Sequence, residues 1–342
     1  MIEHSPDRRS NVLPTEPALR DGFGRRFEYL RLSLTDRCNF RCTYCLPKGY
    51  RKEAGLAPEL SRDELRRAVS GFAQLGLWKL RLTGGEPSIR PDFDEILADL
   101  RTVGGICKIA MTTNGYRLAE RVADWRAIGL DAINISIDTL DRASFARVTG
   151  HDRLQEIVAG VDAALAAGLT SVKINSVLMK SLENQQWSEI LEFVAQRNVT
   201  WRFIELMRTN GNVDLHRGEA TPGSAVMARL REFGWRPVPR QNGDGPAVEY
   251  VHPQYAGRIG LIAPYSAGFC DSCNRLRLSS RGKLHLCLFG EEGLELRDLL
   301  QRDDQVDQLL ARIVAALPSK ARSHPLHEGR SGATPHLASI GG

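Results

Sequence analysis

A chain of 342 residues with 42% apolar and 25% charged residues has the make-up of a globular protein with one large core or two domains. Its net charge of +5 admits an anionic ligand, but no Lys/Arg block interleaved with aromatics speaks for nucleic acid. No apolar stretch approaches the roughly 18 residues of a membrane span, and residues 1–9 hold no signal-peptide core. Seven cysteines without a secretory segment argue against a disulfide framework and for a reducing, cytoplasmic setting.

Residues 1–26 are rich in Pro, Arg and Asp without periodicity and read as a flexible extension. From residue 27 the chain alternates strand and helix. Strands are expected over 29–34, 79–83, 107–112, 132–137, 172–178 and 201–206. Helices are expected over 62–74, 93–101, 118–128, 153–167 and 186–196. Ser61 with Glu64 forms a capping box for the first, and Gly168 stops the fourth. Six βα units imply parallel strands, in either a doubly wound sheet or a barrel.

The strands alternate. Leu30, Leu32, Leu80, Leu82, Ile133 and Ile135 fall on one face; Arg31, Arg81, Asn134 and Lys173 fall on the other. A closed, packed barrel would be branched and apolar inside. Cations on the inner face suggest instead a wet cavity in an incomplete barrel. Arg31, Arg81, Lys173 and Arg202 in such a space call for an anion or for carboxylates. They could also face solvent or be neutralised by Asp138 and Glu205.

Chemistry in parallel α/β proteins sits at the C-terminal ends of strands, and the motifs of this chain fall there. Cys38, Cys42 and Cys45 follow the first strand as CxxxCxxC, three thiolates with no fourth. A structural zinc site or an electron-transfer cluster takes four protein ligands; three leave a metal position open for chemistry. Gly84-Gly85-Glu86-Pro87 follows the second strand, where the glycines would let backbone approach a ligand and Glu86 could pair with an amine.

A second triplet, Cys270, Cys273 and Cys287, is CxxC, thirteen residues, then C. With His285 it could be a Cys₃His zinc site; without it, a second cluster with an open iron. Arg275 and Arg277 alternate on one face beside it, an arrangement suited to a phosphate chain. Cys107 lies in an apolar run and reads as a buried strand thiol. Residues 318–342 look like non-helical chain ending in Gly341-Gly342.

Residues 30–42, 80–87, 202–207 and 270–279 together resemble the radical S-adenosylmethionine (SAM) superfamily and, within it, the GTP 3′,8-cyclase family of molybdenum cofactor biosynthesis. The resemblance covers about 27 to 288 and the final Gly-Gly. It implies an incomplete (β/α)6 TIM-type barrel over 27–240, and a C-terminal second-cluster and GTP-binding region over 241–342 that closes the open side.

It also implies two 4Fe–4S clusters, one on Cys38, Cys42 and Cys45 and one on Cys270, Cys273 and Cys287. SAM would contact Tyr44, Gly85, Ser136 and Met207. GTP would contact Arg31, Arg81, Thr112, Lys173, Arg275, Leu276 and Arg277, with Lys79 and Arg202 nearby; Arg31, Arg275 and Arg277 would also act in catalysis. The implied chemistry splits SAM to a 5′-deoxyadenosyl radical that takes a ribose hydrogen from GTP, and the ribose radical then attacks guanine C8. An electron donor, a homodimer and product handover to the cyclic pyranopterin monophosphate synthase follow as partners, with no nucleic acid and no membrane. Rival readings are a peptide-modifying radical SAM enzyme, which would carry more cysteines downstream, and a zinc scaffold or electron carrier.

Overall fold

The computed structural model describes residues 19–52, 55–182, 187–240, 244–290, 293–332 and 337–341. Six strands in chain order form its centre: β1 (Tyr29–Ser33), β2 (Lys79–Thr83), β3 (Lys108–Thr113), β4 (Ala132–Ser136), β5 (Ser171–Leu178) and β6 (Thr200–Glu205). Each pairs in parallel with the next. A doubly wound sheet reverses its order at a switch point. Here the order runs 1 to 6 without reversal, as in a barrel.

The crossovers carry α1 (Arg62–Gln74), α2 (Phe93–Arg101), α3 (Leu118–Ile128), α4 (Arg142–Thr149), α5 (Leu154–Ala166) and α6 (Trp187–Gln196). The expected capping box is present: Glu64 N donates to Ser61 Oγ at 3.2 Å and Ser61 N to Glu64 Oε2 at 2.8 Å. Leu30, Leu32, Leu80, Leu82, Ile133, Ile135 and Ile174 are fully buried in one apolar cluster with Phe72, Leu97, Val122 and Val161 of the helices. Burying that stripe holds the helices on the outer face, at about 1.5–3 kcal/mol per large side chain.

The rest of the chain adds α7 (Val213–Glu219), α8 (Ser224–Glu232), β7 (Arg236–Pro237), β8 (Val248–Val251), β9 (Arg258–Ile262), β10 (Arg275–Leu278), β11 (Lys283–His285), β12 (Leu294–Glu295) and α9 (Val306–Ala316). These strands do not stand apart as a separate unit. β9 continues the sheet beyond β6, and β10 pairs in parallel with β1, so C-terminal chain flanks both edges of the six-stranded centre. The barrel stays open.

Two expectations are corrected. Packed chain begins before residue 27: Leu19 is fully buried and Arg20 bridges Arg26, because Leu19 and Phe27 supply the apolar anchors. Residues 1–18 and Gly342 lie outside the described residues. The C-terminal tail is not featureless chain but tight turns at Leu317–Ser319, Pro325–Glu328 and Leu337–Ile340, with Leu326 and Ile340 buried. No helix among the described residues is long and apolar enough to cross a membrane.

Candidate active site

The loop carrying Cys38, Cys42 and Cys45 is seated by backbone. Gly85 N donates to Thr35 O and Glu86 N to Arg37 O, both at 2.8 Å, while Thr43 N reaches Val148 O at the end of α4 at 2.9 Å. A Cβ on Gly85 would stand 2.0 Å from Arg37 O, so the glycine serves backbone-to-backbone approach. Glu86 is not available to an amine. It is fully buried, and its carboxylate accepts from Ser88 N, Ser88 Oγ, Thr113 Oγ1 and Asn114 N. It locks the Gly-Gly turn to the end of β3.

The three cysteines form no disulfide. Burial pushes the Cys38 thiol up to about 12 and Cys45 to about 11, and raises Cys42 well above its usual value. Three half-buried thiols that each resist ionising fit a cationic metal cluster, whose charge would repay their deprotonation.

The SAM-contact candidates share this rim. Tyr44 OH donates to Asp138 Oδ2 at 2.9 Å, and Val177 N donates to Asp138 Oδ1 at 2.8 Å. Asn212 Nδ2 reaches both Tyr44 O, at 3.2 Å, and Met207 O, at 3.1 Å. The ends of β1, β4 and β6 are therefore tied together by Asp138 and Asn212. Ser136, half-buried, ends β4 beside them. Asn212 gave no signal in sequence, being a lone amide in an irregular loop.

Inside the sheet lies a cavity of about 420 Å³, within the size of a small-molecule site. Arg31, Lys79, Arg81, Lys173, Arg202, Met207, Arg275 and Arg277 line it, as do Cys270, Cys273 and Cys287. Parallel register places Arg277, Arg31 and Arg81 side by side on β10, β1 and β2, one guanidinium per strand. Gly260 lies opposite Arg202, and a Cβ there would come 2.8 Å from Arg202 Cγ, so the missing side chain makes room for the guanidinium.

Arg81 donates to Tyr29 OH, to Met111 O at 3.0 Å and to Thr112 Oγ1 at 3.4 Å. Arg202 reaches Asn175 Oδ1 at 2.6 Å, and Lys173 pairs with Glu249. Asp138 and Glu205 do not neutralise the cations; Glu205 accepts from Gly223 N and Tyr265 N instead. Glu249 of β8 takes that role for Lys173 and Arg258. Neither it nor Tyr29 stood out in sequence, because β8 was not foreseen and Tyr29 opens an alternating strand. Leu276 is corrected: it is fully buried on the opposite face of β10 from Arg275 and Arg277, as alternation requires, so its side chain has no part in the cavity.

Crowded cations leave a pH signature. Burial lowers Lys79 to about 8 from 10.5. Burial alone would raise Tyr29, but Arg81, Arg31 and Lys79 outweigh it and bring the phenol to about 7 from 10.0. In both windows the unfolded chain holds a proton that the folded chain has released, so stability increases with pH. Thermal melts of the nucleotide-free protein are expected to move upward between pH 7 and pH 10. A polyanion in the cavity reverses both shifts, so its binding at pH 8 takes up protons. Titration calorimetry in buffers of different ionisation enthalpy reads that uptake; proton release would contradict it.

The second triplet differs from the first. Burial would raise Cys273, but Arg275 and Lys320 draw it to about 7. His285 lies on β11 across from Arg277, is held neutral by burial down to about 4, and does not line the cavity that the cysteines line. Among the described residues, no three His, Cys, Asp or Glu groups converge to hold a single metal ion. Three thiols that line the cavity without His285 fit a cluster with one open iron. Between the triplets lies the tail. Gly341 O accepts from Arg31 Nε at 2.9 Å and Arg277 Nη1 at 2.8 Å, and Leu337 and Ala338 amides face Cys45.

Residues 32–194 match the radical SAM superfamily, and residues 199–326 match the family described as Molybdenum Cofactor Synthesis C. The chain is 54% identical to the GTP 3′,8-cyclase of Aeromonas hydrophila over 328 residues, 95% of this chain and 96% of that one. It is 51% identical to the GTP 3′,8-cyclase of Yersinia pestis, covering 95% of this chain and 99% of the relative. Among solved structures, Streptococcus suis SuiB bound to S-adenosylmethionine aligns with a TM-score of 0.59 at 13% identity, over 87% of this chain and 76% of that one. That likeness speaks for the fold alone. On sequence identity along nearly its whole length, the chain belongs to the GTP 3′,8-cyclase family of the radical SAM superfamily.

Proposed function

We propose that the cation-lined cavity is the GTP site, bounded by one 4Fe–4S cluster on Cys38, Cys42 and Cys45 and another on Cys270, Cys273 and Cys287. The chain is a radical SAM enzyme that performs the GTP 3′,8-cyclase reaction of molybdenum cofactor biosynthesis. When bound, the clusters and SAM supply the reductive radical chemistry that joins the ribose 3′ carbon to guanine C8.

What the chain's own residues contribute is placement. The observation that carries the reading is one row of guanidiniums, Arg277, Arg31 and Arg81, in the same cavity as three cysteines. A triphosphate offset by Arg81, Lys79, Lys173 and Arg202 relieves the cost of burying those cations. The base then extends toward Cys270, Cys273 and Cys287, and the ribose toward the Cys38–Cys45 loop. Arg31, Arg275 and Arg277 bridge the two ends, where they hold substrate and bear on the reacting ribose and base. Holding reactants in one geometry and excluding water is the larger part of what such a site does. Arg31 and Arg277, bonded to the tail, also place a lid of backbone between the two triplets. An external electron donor, a homodimer and transfer of product to the cyclic pyranopterin monophosphate synthase complete the proposal.

The test is anaerobic. Protein reconstituted with iron and sulfide is given reductant and SAM, and 5′-deoxyadenosine release is compared with GTP, ATP or no nucleotide. Of the three conditions, GTP is expected to raise release well above a slow nucleotide-independent background, with deuterium carried from ribose-labelled GTP into 5′-deoxyadenosine. Release indifferent to nucleotide would sink the substrate assignment.

A further inference from the structure

The segment 19–27 precedes every motif named so far, yet it ends at the second triplet. Asp21 and Arg25 are 7% and 8% exposed. Asp21 Oδ1 accepts from Phe23 N and Arg25 N, both at 3.0 Å, which folds the segment into a tight loop; Phe27 N closes it on Leu19 O at 2.9 Å. Asp21 Oδ2 takes Arg25 Nε at 2.6 Å. The two terminal nitrogens of Arg25 then donate to three carbonyls. Nη1 reaches Cys270 O at 3.0 Å and Arg322 O at 2.8 Å, and Nη2 reaches Ala321 O at 2.7 Å.

The first of these carbonyls matters most. Cys270 O also accepts from Cys273 N at 3.1 Å, the bond that closes the CxxC turn. One oxygen thus serves the turn and the arginine together. The same clamp holds 321–322, next to Lys320, which lies over the Phe27 ring at 5.3 Å and donates to Leu286 O, one residue before Cys287. The segments bearing Cys270, Cys273 and Cys287 are all tied to one N-terminal loop. A buried guanidinium costs several kcal/mol unless its donors are met, and here a carboxylate and three carbonyls meet them in one geometry.

We propose that Arg25 is a positioning residue for the second cluster, setting the CxxC turn that spaces the Cys270 and Cys273 thiols. The proposal rests on the assignment of that cluster to Cys270, Cys273 and Cys287. Lysine at this position keeps the charge but loses the fork, so it cannot grip Cys270 O and the tail at once. Groups that orient metal ligands from behind change metal affinity by about 10- to 100-fold.

Arg25→Lys and Asp21→Asn are compared with the parent as reconstituted holoenzymes. Iron per chain, the rate of iron loss to a chelator, and the electron paramagnetic resonance of the reduced protein with and without GTP are measured, beside SAM cleavage. Four of about eight irons are expected to leave at least about tenfold faster than in the parent. The GTP-dependent change in the spectrum is expected to fade, and the slow SAM cleavage measured without nucleotide to stay within about twofold. Iron loss at the parent rate would overturn the proposal. So would equal loss from both clusters with a matching fall in SAM cleavage, which would make the clamp a prop of the whole fold. Cys273→Ser is the control: if it keeps all its iron, the cluster assignment itself fails, whatever Arg25 does.

Discussion

Cys273→Ser is expected to hold about four irons per chain instead of about eight, to cleave SAM still, and to convert no GTP. The reason lies in how differently the two triplets are built. In the first, Cys38 and Cys42 are partly buried against the apolar core, and burial pushes the Cys38 thiol up to about 12 and Cys45 to about 11. The second opens on the cavity, and Arg275 and Lys320 bring Cys273 to about 7 despite its burial. A serine hydroxyl does not ionise there, so iron loses one of three anchors. His285 cannot substitute, because β11 holds it across from Arg277 and away from the cysteines' cavity. The loss should stay local, because the Cys38–Cys45 loop is fixed by backbone bonds at Thr35, Arg37 and Val148. Iron analysis, 5′-deoxyadenosine release and product assay on one preparation separate the outcomes. A Cys273→Ser protein with parent iron content and parent GTP turnover would remove the second cluster from these residues.

Much of this site was legible because alternation is strict in a two-faced strand. Arg31, Arg81 and Lys173 had to oppose Leu30, Leu82 and Ile174; burial alternates accordingly along β5, while β2 is buried on both faces because its cations line an inner cavity. Strand ends were placed within about a residue for the same reason, since a one-residue slip would bury the cations among the helices. What escaped is what long-range contact decides. Glu249, Asn212 and Arg25 act through partners 76, 168 and 245 positions away, at Lys173, Tyr44 and Cys270. A single carboxylate, amide or guanidinium in an irregular stretch carries no periodic signal. Glu86 was misread for a related reason. A carboxylate after Gly-Gly looks available to a ligand until β3 is seen to deliver Thr113 and Asn114 to it.

Arg277→Ala is expected to weaken GTP binding by about 10- to 100-fold, the worth of a charge-assisted hydrogen bond or two. The nucleotide-free protein should meanwhile melt no lower than the parent. Burial, and then the charges of Arg31 and Arg275, hold the Arg277 guanidinium well below its usual pKa. The carbonyl it donates to, Gly341 O, is shared with Arg31. In the empty cavity, then, the side chain adds repulsion to a crowded row and takes little in return. Bound GTP changes the sign of the balance, since the same guanidinium then holds substrate. Stabilisation by ligand follows RT ln(1 + [L]/Kd), so a 100-fold weaker Kd removes about 2.7 kcal/mol of the GTP-induced gain at fixed, saturating nucleotide. Parent and variant melts with and without GTP, both carrying their iron, test this directly. The expected pattern is a variant equal or higher without nucleotide and lower with it. A variant that melts several degrees below the parent without GTP, yet shows the parent's GTP-induced shift, would mean that Arg277 holds the fold together and leaves the substrate to others.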